Sequence, residues 1–241
     1  MNREAIVAID GPAASGKSTT AKLAAEAVGY MYLDTGAMYR AITLKALRLR
    51  TPLDDEDYLA RLAEEARIEF VQDGGCVRVL LDGEDVSEEI RSPDVDTNVS
   101  LVSSYPGVRK RLVAEQRRLA RGRGIVCEGR DIGTVVFPDA DLKFYVDATL
   151  EERARRRQKQ LIEKGTALSV HEVQQDLEGR DTFDSERETS PLTRAPDAIL
   201  IDTTGLTIPE QVAVVVDHIR QWRVARQQDR SDQHEGDGAE Q

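Results

Sequence analysis

Residues 11–18 read Gly-Pro-Ala-Ala-Ser-Gly-Lys-Ser, a G-x-x-x-x-G-K-S pattern that restricts how the flanking chain can fold. An apolar, β-branched run at 5–9 predicts a strand before it, and apolar positions at Leu23, Ala24 and Val28 predict a helix after it. The glycines allow a tight turn whose backbone N–H groups face one anion, and the helix adds its positive N-terminal end. The alternative, a glycine-rich turn that closes a hairpin, is disfavoured by this strand-and-helix context. The pattern predicts a phosphate-binding loop.

Length and composition place the chain among soluble globular proteins. It has 241 residues, of which 40% are hydrophobic and 32% charged, enough for a sizeable buried core. No apolar run approaches the roughly 20 residues of a membrane span, and no secretion signal precedes the first predicted strand. Cys76 and Cys127 fit no metal-ligand spacing and are predicted to be buried, reduced thiols. We therefore expect a cytoplasmic protein that does not bind membranes.

The charge distribution allows two interpretations. A net charge of −11 argues against binding to nucleic-acid polymers as the main activity. Basic residues are nevertheless concentrated at 109–111, 117–118 and 153–159. Such stretches are usually solvated helix faces paired with nearby acids. A ligand with several phosphates also needs a cluster of arginines, and these stretches are where some of them would come from.

Alternating strands and helices predict the fold. Five strand-like runs, at 5–9, 30–34, 125–128, 142–146 and 198–201, are separated by helical patterns. They predict an α/β fold with a five-stranded parallel sheet and helices on both faces. Residues 67–92 instead contain short strands punctuated by Asp-Gly turns, which predict a small antiparallel β insertion. Residues 227–241 show no apolar periodicity, so we predict a disordered acidic tail after a single domain at 1–226.

The polar segments at the strand ends predict one cleft. Ligands of parallel sheets bind at the carboxyl ends of the strands, where the phosphate loop, 34–36, 128–131 and Asp147 are expected to converge. No Asn-Lys-x-Asp or Leu-Ser-Gly-Gly-Gln sequence is present, which disfavours a GTPase and a transporter-type ATPase. Arginines near the strand ends suit the binding of two phosphorylated molecules and the stabilisation of a transferred phosphoryl group.

Four stretches together resemble bacterial cytidylate kinases. They are residues 11–19, Asp-Thr-Gly-Ala-Met-Tyr-Arg at 34–40, Glu-Gly-Arg-Asp-Ile-Gly-Thr-Val-Val-Phe-Pro at 128–138, and Arg-Asp-x-x-Asp-x-x-Arg at 180–187. The phosphate loop is shared widely, whereas the 128–138 stretch is far more specific. The resemblance covers about 4–222 and implies a P-loop NTPase-type fold. It also implies that 67–92 extends the monophosphate-binding region and that about 150–166 form a mobile lid.

The resemblance implies transfer of the γ-phosphoryl group of ATP to CMP or dCMP, which gives CDP or dCDP, with Mg²⁺ as cofactor. The partners are then small nucleotides and no nucleic-acid polymer, and we expect a monomer. The expected phosphate contacts are Gly11, Pro12, Ala13, Ala14, Ser15, Gly16, Lys17, Ser18 and Thr19. The expected metal contacts are Ser18 and Glu128.

The resemblance also assigns the second substrate. Residues that match the family's CMP contacts are Thr35, Arg40, Ser100, Arg109, Arg130, Asp131, Asp184 and Arg187. Asp131 matches the residue that accepts from the cytosine amine, and Arg109 the residue that donates to the base acceptors; Ser100 matches a third base contact. Arg40, Arg130 and Arg187 match the monophosphate contacts, and Asp184 the sugar contact. The expected catalytic residues are Lys17, Arg130, Arg187, Arg153 and Arg157, the last two in the lid.

Each of these residues also has a structural interpretation. Without the resemblance, the Arg-Lys-Arg run favours a solvated position for Arg109, and Asp131 is equally compatible with a helix cap. Arg180, Asp184 and Arg187 have the spacing of an ion-pair face within one helix. Two positions depart from the family pattern: Thr35 stands where serine is common, and Glu128 where aspartate is often found.

Two other functions stay open from the sequence. Within the same enzyme class, the chain is compatible with a kinase for UMP or another nucleoside monophosphate. In a different class, a nucleotide-gated regulatory module would use its acidic tail and basic helices to recruit a partner. A module of that kind would bind nucleotide without turnover.

Overall fold

The computed structural model describes residues 4–73, 76–163 and 165–237. The strands are β1 (Ile6–Asp10), β2 (Met31–Asp34), β3 (Ile68–Asp73), β4 (Cys76–Leu81), β5 (Glu84–Asp85), β6 (Ile125–Gly129), β7 (Leu142–Asp147) and β8 (Ile199–Asp202). The helices are α1 (Lys17–Val28), α2 (Thr35–Arg48), α3 (Glu56–Glu65), α4 (Pro93–Ser104), α5 (Pro106–Leu119), α6 (Leu150–Glu163), α7 (Val170–Glu186) and α8 (Ile208–Asp237). A 3₁₀ turn covers Glu89–Arg91, and a π-helical turn covers Ile132–Val136.

Five of the strands form one parallel sheet in the order β2-β6-β1-β7-β8. Successive side chains of a strand point to opposite faces of the sheet, so the central strand β1 contributes to a core on each face. Val7 and Ile9 pack in the core with α1 and α8, and Ala8 packs in the core with α2 and α5. The predicted five-stranded parallel sheet, with helices on both faces, is confirmed.

The insertion is a separate antiparallel sheet in the order β3-β4-β5. The turn between β4 and β5 has positive φ at both central residues, 52° at Asp82 and 89° at Gly83. A two-residue hairpin loop needs this geometry to match the right-handed twist of its two strands, and Asp-Gly adopts it readily. The predicted small antiparallel β insertion is therefore confirmed, while its other Asp-Gly turn includes residues 74–75, outside the described part.

The last helix is longer than the sequence pattern indicates. The apolar stripe of α8 ends near Trp222, but the helix continues to Asp237. It thus includes most of the segment predicted as a disordered tail, and 238–241 lie outside the described residues. No glycine or proline interrupts 210–235, and Gln, Arg and Glu have good helix propensity. The division of the chain at residue 227 stays a prediction.

Two further expectations concern the thiols and the membrane. Cys127 is buried in β6 and free, as predicted, whereas the Cys76 side chain lies outside the described residues. Within the described ranges, no helix has the length and apolarity that crossing a bilayer requires.

Candidate active site

The loop between β1 and α1 has the backbone that the glycine pattern predicts. Gly11 has φ 154°, and a Cβ atom there would lie 2.0 Å from the carbonyl oxygen of Val146. Gly16 has φ 96°, a value that L side chains rarely adopt. Glycine is thus required at both ends of the turn. The loop leads directly into the N-terminal end of α1, where the free amides of the first turn can bind an anion.

Lys17 is held over the loop by local contacts. Its Nζ donates to the carbonyl oxygen of Pro12 at 3.2 Å and lies 4.0 Å from Oε2 of Glu128. Burial and the nearby Arg130 lower the pKa of Lys17 to about 8, while Glu128 acts in the opposite direction. The ammonium group is therefore poorly compensated inside the protein. An incoming phosphate would supply the missing negative charge.

Ser18 and Glu128 form a group of hard oxygen donors beside Lys17. The Ser18 hydroxyl donates to Oε2 of Glu128 at 2.8 Å, and the Tyr32 hydroxyl donates to Oε1 at 2.6 Å. Burial and the charge of Asp34 raise the pKa of Glu128. The described residues include no cluster of three or more His, Cys, Asp or Glu side chains that could cage a metal ion. A hydroxyl and one carboxylate fit Mg²⁺, which usually combines few protein ligands with water and phosphates.

Arg109 and Asp131 form a buried ion pair. The Arg109 guanidinium donates to Oδ2 of Asp131 and also, at 3.1 Å, to the carbonyl oxygen of Ser103. Only 4% of each residue is exposed. Asp131 makes no capping bond to the π-helical turn that follows it. Of the two interpretations open from the sequence, the structure thus excludes a solvated Arg109 and a helix-capping Asp131.

The arginines and acids of 180–187 do not pair within their own helix. Asp184 accepts from Nε of Arg130 at 2.9 Å, and Nε of Arg187 donates to the carbonyl oxygen of Ser190 at 2.6 Å. An NH2 atom of Arg187 lies 3.9 Å from Oδ1 of Asp131. The C-terminal end of α7 and the residue after it therefore contact the segment that follows β6. The intrahelical ion-pair interpretation is wrong for this segment.

Several guanidinium groups keep an unused donor. Among the described residues, buried atoms with no hydrogen-bond partner include Nε of Arg109, Nε of Arg180 and NH2 of Arg187. An unpaired buried donor on a charged group is costly. These three donors therefore indicate that the site is completed by a ligand with several acceptor oxygens.

One cleft of about 830 Å³ joins these groups. Its walls include ten basic and six acidic side chains, in a chain whose net charge is −11. An excess of positive charge in a concave site focuses the field on anionic ligands. The predicted residues that line the cleft are Ala13, Ala14, Gly16, Lys17, Ser18, Thr19, Thr35, Arg40, Ser100, Arg109, Glu128, Arg130, Asp131, Arg157, Asp184 and Arg187.

Other predicted residues do not line the cleft. Gly11, Pro12 and Ser15 are buried within the phosphate-binding loop. Arg153 is buried behind the same loop, where its guanidinium donates to the Ala13 carbonyl oxygen at 3.2 Å and to Asp181 at 2.5 Å. It thus supports the loop from behind and does not face the cavity. The expectation for Asp147 is wrong, because its carboxylate accepts from the following N–H of Ala148 and lies outside the cleft.

The structure adds residues to which the sequence analysis assigned no role. Arg180 lines the cleft, and burial together with the charges of Arg130 and Arg40 lowers its pKa to about 10. Its position in the 180–187 motif is the sequence signal that could have identified Arg180 as a site residue. Arg156 also lines the cleft and donates to the carbonyl oxygens of Ser15 and Thr203 at 3.3 and 2.7 Å. Nothing in the basic run at 153–159 distinguishes Arg156 from its neighbours.

Asp10 supports the cleft from the end of β1. Its two carboxylate oxygens accept from the backbone N–H groups of Ile132 at 2.7 Å and Gly133 at 2.8 Å. These bonds hold the start of the π-helical turn, directly after Asp131. Burial raises the pKa of Asp10 to about 6, although both backbone bonds act to lower it.

We expect the Asp10 carboxyl to make folding stability depend on pH. Because its pKa in the folded state exceeds the usual 3.8, ionisation disfavours the folded state as the pH rises through about 6. The wild type should lose about 1.4 kcal/mol of unfolding free energy relative to Asp10→Asn between pH 5 and pH 7.5. Urea unfolding of both proteins at the two pH values measures this change. A difference that does not vary with pH would contradict the raised pKa.

Comparison with known proteins places this site in a family. A sequence model described as cytidylate kinase matches residues 7–221. A cytidylate kinase from Caldanaerobacter subterraneus subsp. tengcongensis is 53% identical over 220 residues, which cover 91% of this chain and 96% of the relative. Cytidylate kinases from Desulfitobacterium hafniense and Pelotomaculum thermopropionicum are 52% and 47% identical, over 88% and 92% of this chain and 91% and 99% of the relatives. The matched span includes every residue of the predicted site.

Proposed function

Because the chain belongs to the cytidylate kinase family, and is thus a nucleoside monophosphate kinase, we propose that it phosphorylates CMP and dCMP with MgATP. The products are CDP or dCDP and ADP. One observation carries this proposal: a single cleft contains both the phosphate loop with Lys17 and the buried pair of Arg109 and Asp131. A triphosphate and a pyrimidine nucleotide can therefore meet end to end.

Recognition of the base is proposed to depend on Arg109 and Asp131. Cytosine has an amine donor at C4 and acceptors at N3 and O2. The carboxylate of Asp131 accepts from the amine, while the guanidinium of Arg109 donates to the acceptors. Ser100, on the wall of the same cleft, makes a third contact. Uracil has an acceptor at C4 and would face the carboxylate unpaired, a loss of about 1–3 kcal/mol for a buried pair.

The monophosphate is proposed to lie between the base pocket and Lys17. Arg40, Arg130 and Arg187 line that part of the cleft and hold its oxygens, while Asp184 contacts the sugar. Thr35 keeps its hydroxyl near the same site, where it donates to the carbonyl oxygen of Glu128 at 2.7 Å. The NH2 atom of Arg187 has no hydrogen-bond partner, which supports this assignment because a phosphate oxygen would accept from it.

Catalysis is proposed to come from positioning and charge stabilisation. The attacking phosphate oxygen of CMP is already anionic, so no general base is needed. Lys17 and the arginines hold the two anions in line and stabilise the charge on the transferred group. Ser18 and Glu128 would hold Mg²⁺, which when bound neutralises charge on the ATP phosphates. Helix α6 acts as the lid, with Arg157 at the cleft, and its closure excludes water.

ADP release measured across CMP, dCMP, UMP, AMP and GMP tests the proposal. We expect CMP and dCMP to have the highest kcat/KM, with UMP at least tenfold lower because of its unpaired C4 oxygen. We propose a monomer as the active unit, which sedimentation at assay concentration checks. A tenfold preference for UMP over CMP would contradict the base assignment. Stoichiometric nucleotide binding without turnover on any monophosphate would favour a regulatory module instead.

A further inference from the structure

Asp96 connects the lid helix to the helix that carries a monophosphate arginine. It lies in the first turn of α4, and 20% of its side chain is exposed. Oδ1 of Asp96 lies 2.5 Å from NH2 of Arg40 on α2, and Oδ2 accepts from NH2 of Arg157 on α6 at 2.7 Å. One carboxylate thus joins guanidinium groups from two elements far apart in the chain.

Asp96 itself does not line the cleft, whereas both of its partners do. Arg40 also donates from NH1 to the carbonyl oxygen of Ile90 at 3.1 Å. Its guanidinium plane is therefore held by two contacts, one to Asp96 and one to Ile90. A guanidinium has five N–H donors, which leaves donors on both arginines for phosphate oxygens. Any effect of Asp96 on substrate therefore acts through Arg40 and Arg157.

The charges around Asp96 match a phosphate monoester. Burial acts to raise the pKa of Asp96, but Arg40 and Arg157 hold it below its usual value, so the carboxylate is ionised at neutral pH. The charge of Arg40 also lowers the pKa of Arg180, and the charge of Asp96 raises it. Three guanidinium groups and one carboxylate leave a charge of about +2, and a phosphate monoester near pH 7 carries about −2. Without Asp96, three positive groups would repel one another.

We propose that Asp96 is a positioning residue that joins Arg157 of the lid to Arg40 of the monophosphate site, so that lid position and CMP binding are coupled. This inference rests on the proposed function. By contacting both, Asp96 keeps the two guanidinium groups of these cleft-lining arginines at a fixed separation. The coupling acts on the nucleotide acceptor and leaves the ATP loop unaffected.

Asp96→Asn, which keeps the shape and removes the charge, tests the proposal against Asp94→Asn. Asp94 lies in the same first turn of α4 and its side chain is exposed, so both variants lose one acid near the helix N-terminus. We expect Asp96→Asn to lower kcat/KM for CMP roughly tenfold and to change KM for ATP less than twofold. Asp94→Asn should match the wild type in both. Asp96→Glu, which restores the charge, should recover part of the loss.

A double-mutant cycle with Arg157→Gln isolates the coupling. In the wild-type background this substitution should lower kcat/KM for CMP, and in the Asp96→Asn background its effect should be at least threefold smaller. Additive effects, or equal behaviour of Asp96→Asn and Asp94→Asn, would overturn the inference. A lower thermal midpoint with unchanged kinetics would also overturn it, since Asp96 would then only stabilise the fold. Absence of wild-type turnover with CMP in the same assay would instead contradict the proposed function.

Discussion

Lys17→Ala should reduce turnover about 10²–10³-fold, the usual loss when one preorganised charge-stabilising donor is removed. Lys17 lies at the loop, with Nζ 3.2 Å from the Pro12 carbonyl oxygen and no close countercharge, since the nearest Glu128 oxygen is 4.0 Å away. Its ammonium is thus available for the transferred phosphoryl group. Initial rates with saturating CMP and ATP measure the loss.

The fold should persist in Lys17→Ala. Burial lowers the pKa of Lys17 to about 8, which means that the charged side chain is unfavourable in the folded state without a phosphate. Thermal unfolding followed by circular dichroism distinguishes a loss of turnover from a folding defect. Lys22→Ala, a lysine substitution in the same helix but outside the cleft, is the matched control and should keep wild-type turnover. Turnover of Lys17→Ala within threefold of the wild type would remove Lys17 from the mechanism.

Asp131→Asn should weaken CMP binding about 10–100-fold while ATP affinity stays within twofold. The amide puts a donor where the cytosine amine needs an acceptor, and it leaves the buried Arg109 guanidinium without its countercharge. Calorimetric titration of each nucleotide separately measures the two affinities. Asp147→Asn is the matched control, because Asp147 is likewise an aspartate at the carboxyl edge of the sheet but does not line the cleft. If CMP affinity does not change, Asp131 has a structural role only.

A second variant separates base recognition from stability. Removal of one partner of a buried ion pair typically costs about 3–5 kcal/mol, whereas apolar replacement of both is often neutral. We therefore expect Asp131→Asn to unfold at a lower temperature and the double variant Arg109→Met/Asp131→Leu to recover much of that stability. CMP affinity should stay low in both. Recovery of CMP binding along with stability would show that the pair acts only through the fold.

Most elements of the fold were predictable because their signals are local. The strand runs, the Asp-Gly turn at 82–83 and the glycines of the phosphate loop each depend on backbone conformations that a few neighbouring residues select. The end of α8 was not predictable in this way. The apolar stripe ends near Trp222, but a polar helix without breakers continues beyond it to Asp237. Because residues 227–241 have no apolar face, they were predicted to be disordered, whereas the structure has helix as far as Asp237.

The candidate site was predictable in its residue types but not in its pairs. The motif at 128–138 and the family resemblance singled out Arg109, Arg130 and Asp131, all of which line the cleft. The helical spacing of 180–187 suggested pairs within α7, yet Asp184 contacts Arg130 instead. The resemblance predicts Arg153 as a catalytic residue of the lid, and only its packing shows that it supports the loop from behind. A run of arginines gives no local signal of which guanidinium faces the ligand.

The sequence by itself determined a phosphate loop between a strand and a helix, a parallel sheet, and the set of charged residues near its carboxyl edge. Tertiary structure alone decided which charges neutralise one another and which stay available to substrate. The ion-pair partners Arg109 and Asp131 are 22 residues apart, and Arg130 and Asp184 are 54 apart. The physical reason is that an ion pair needs a few ångströms between two side chains, a distance set by how helices pack on the sheet and not by neighbours in the chain.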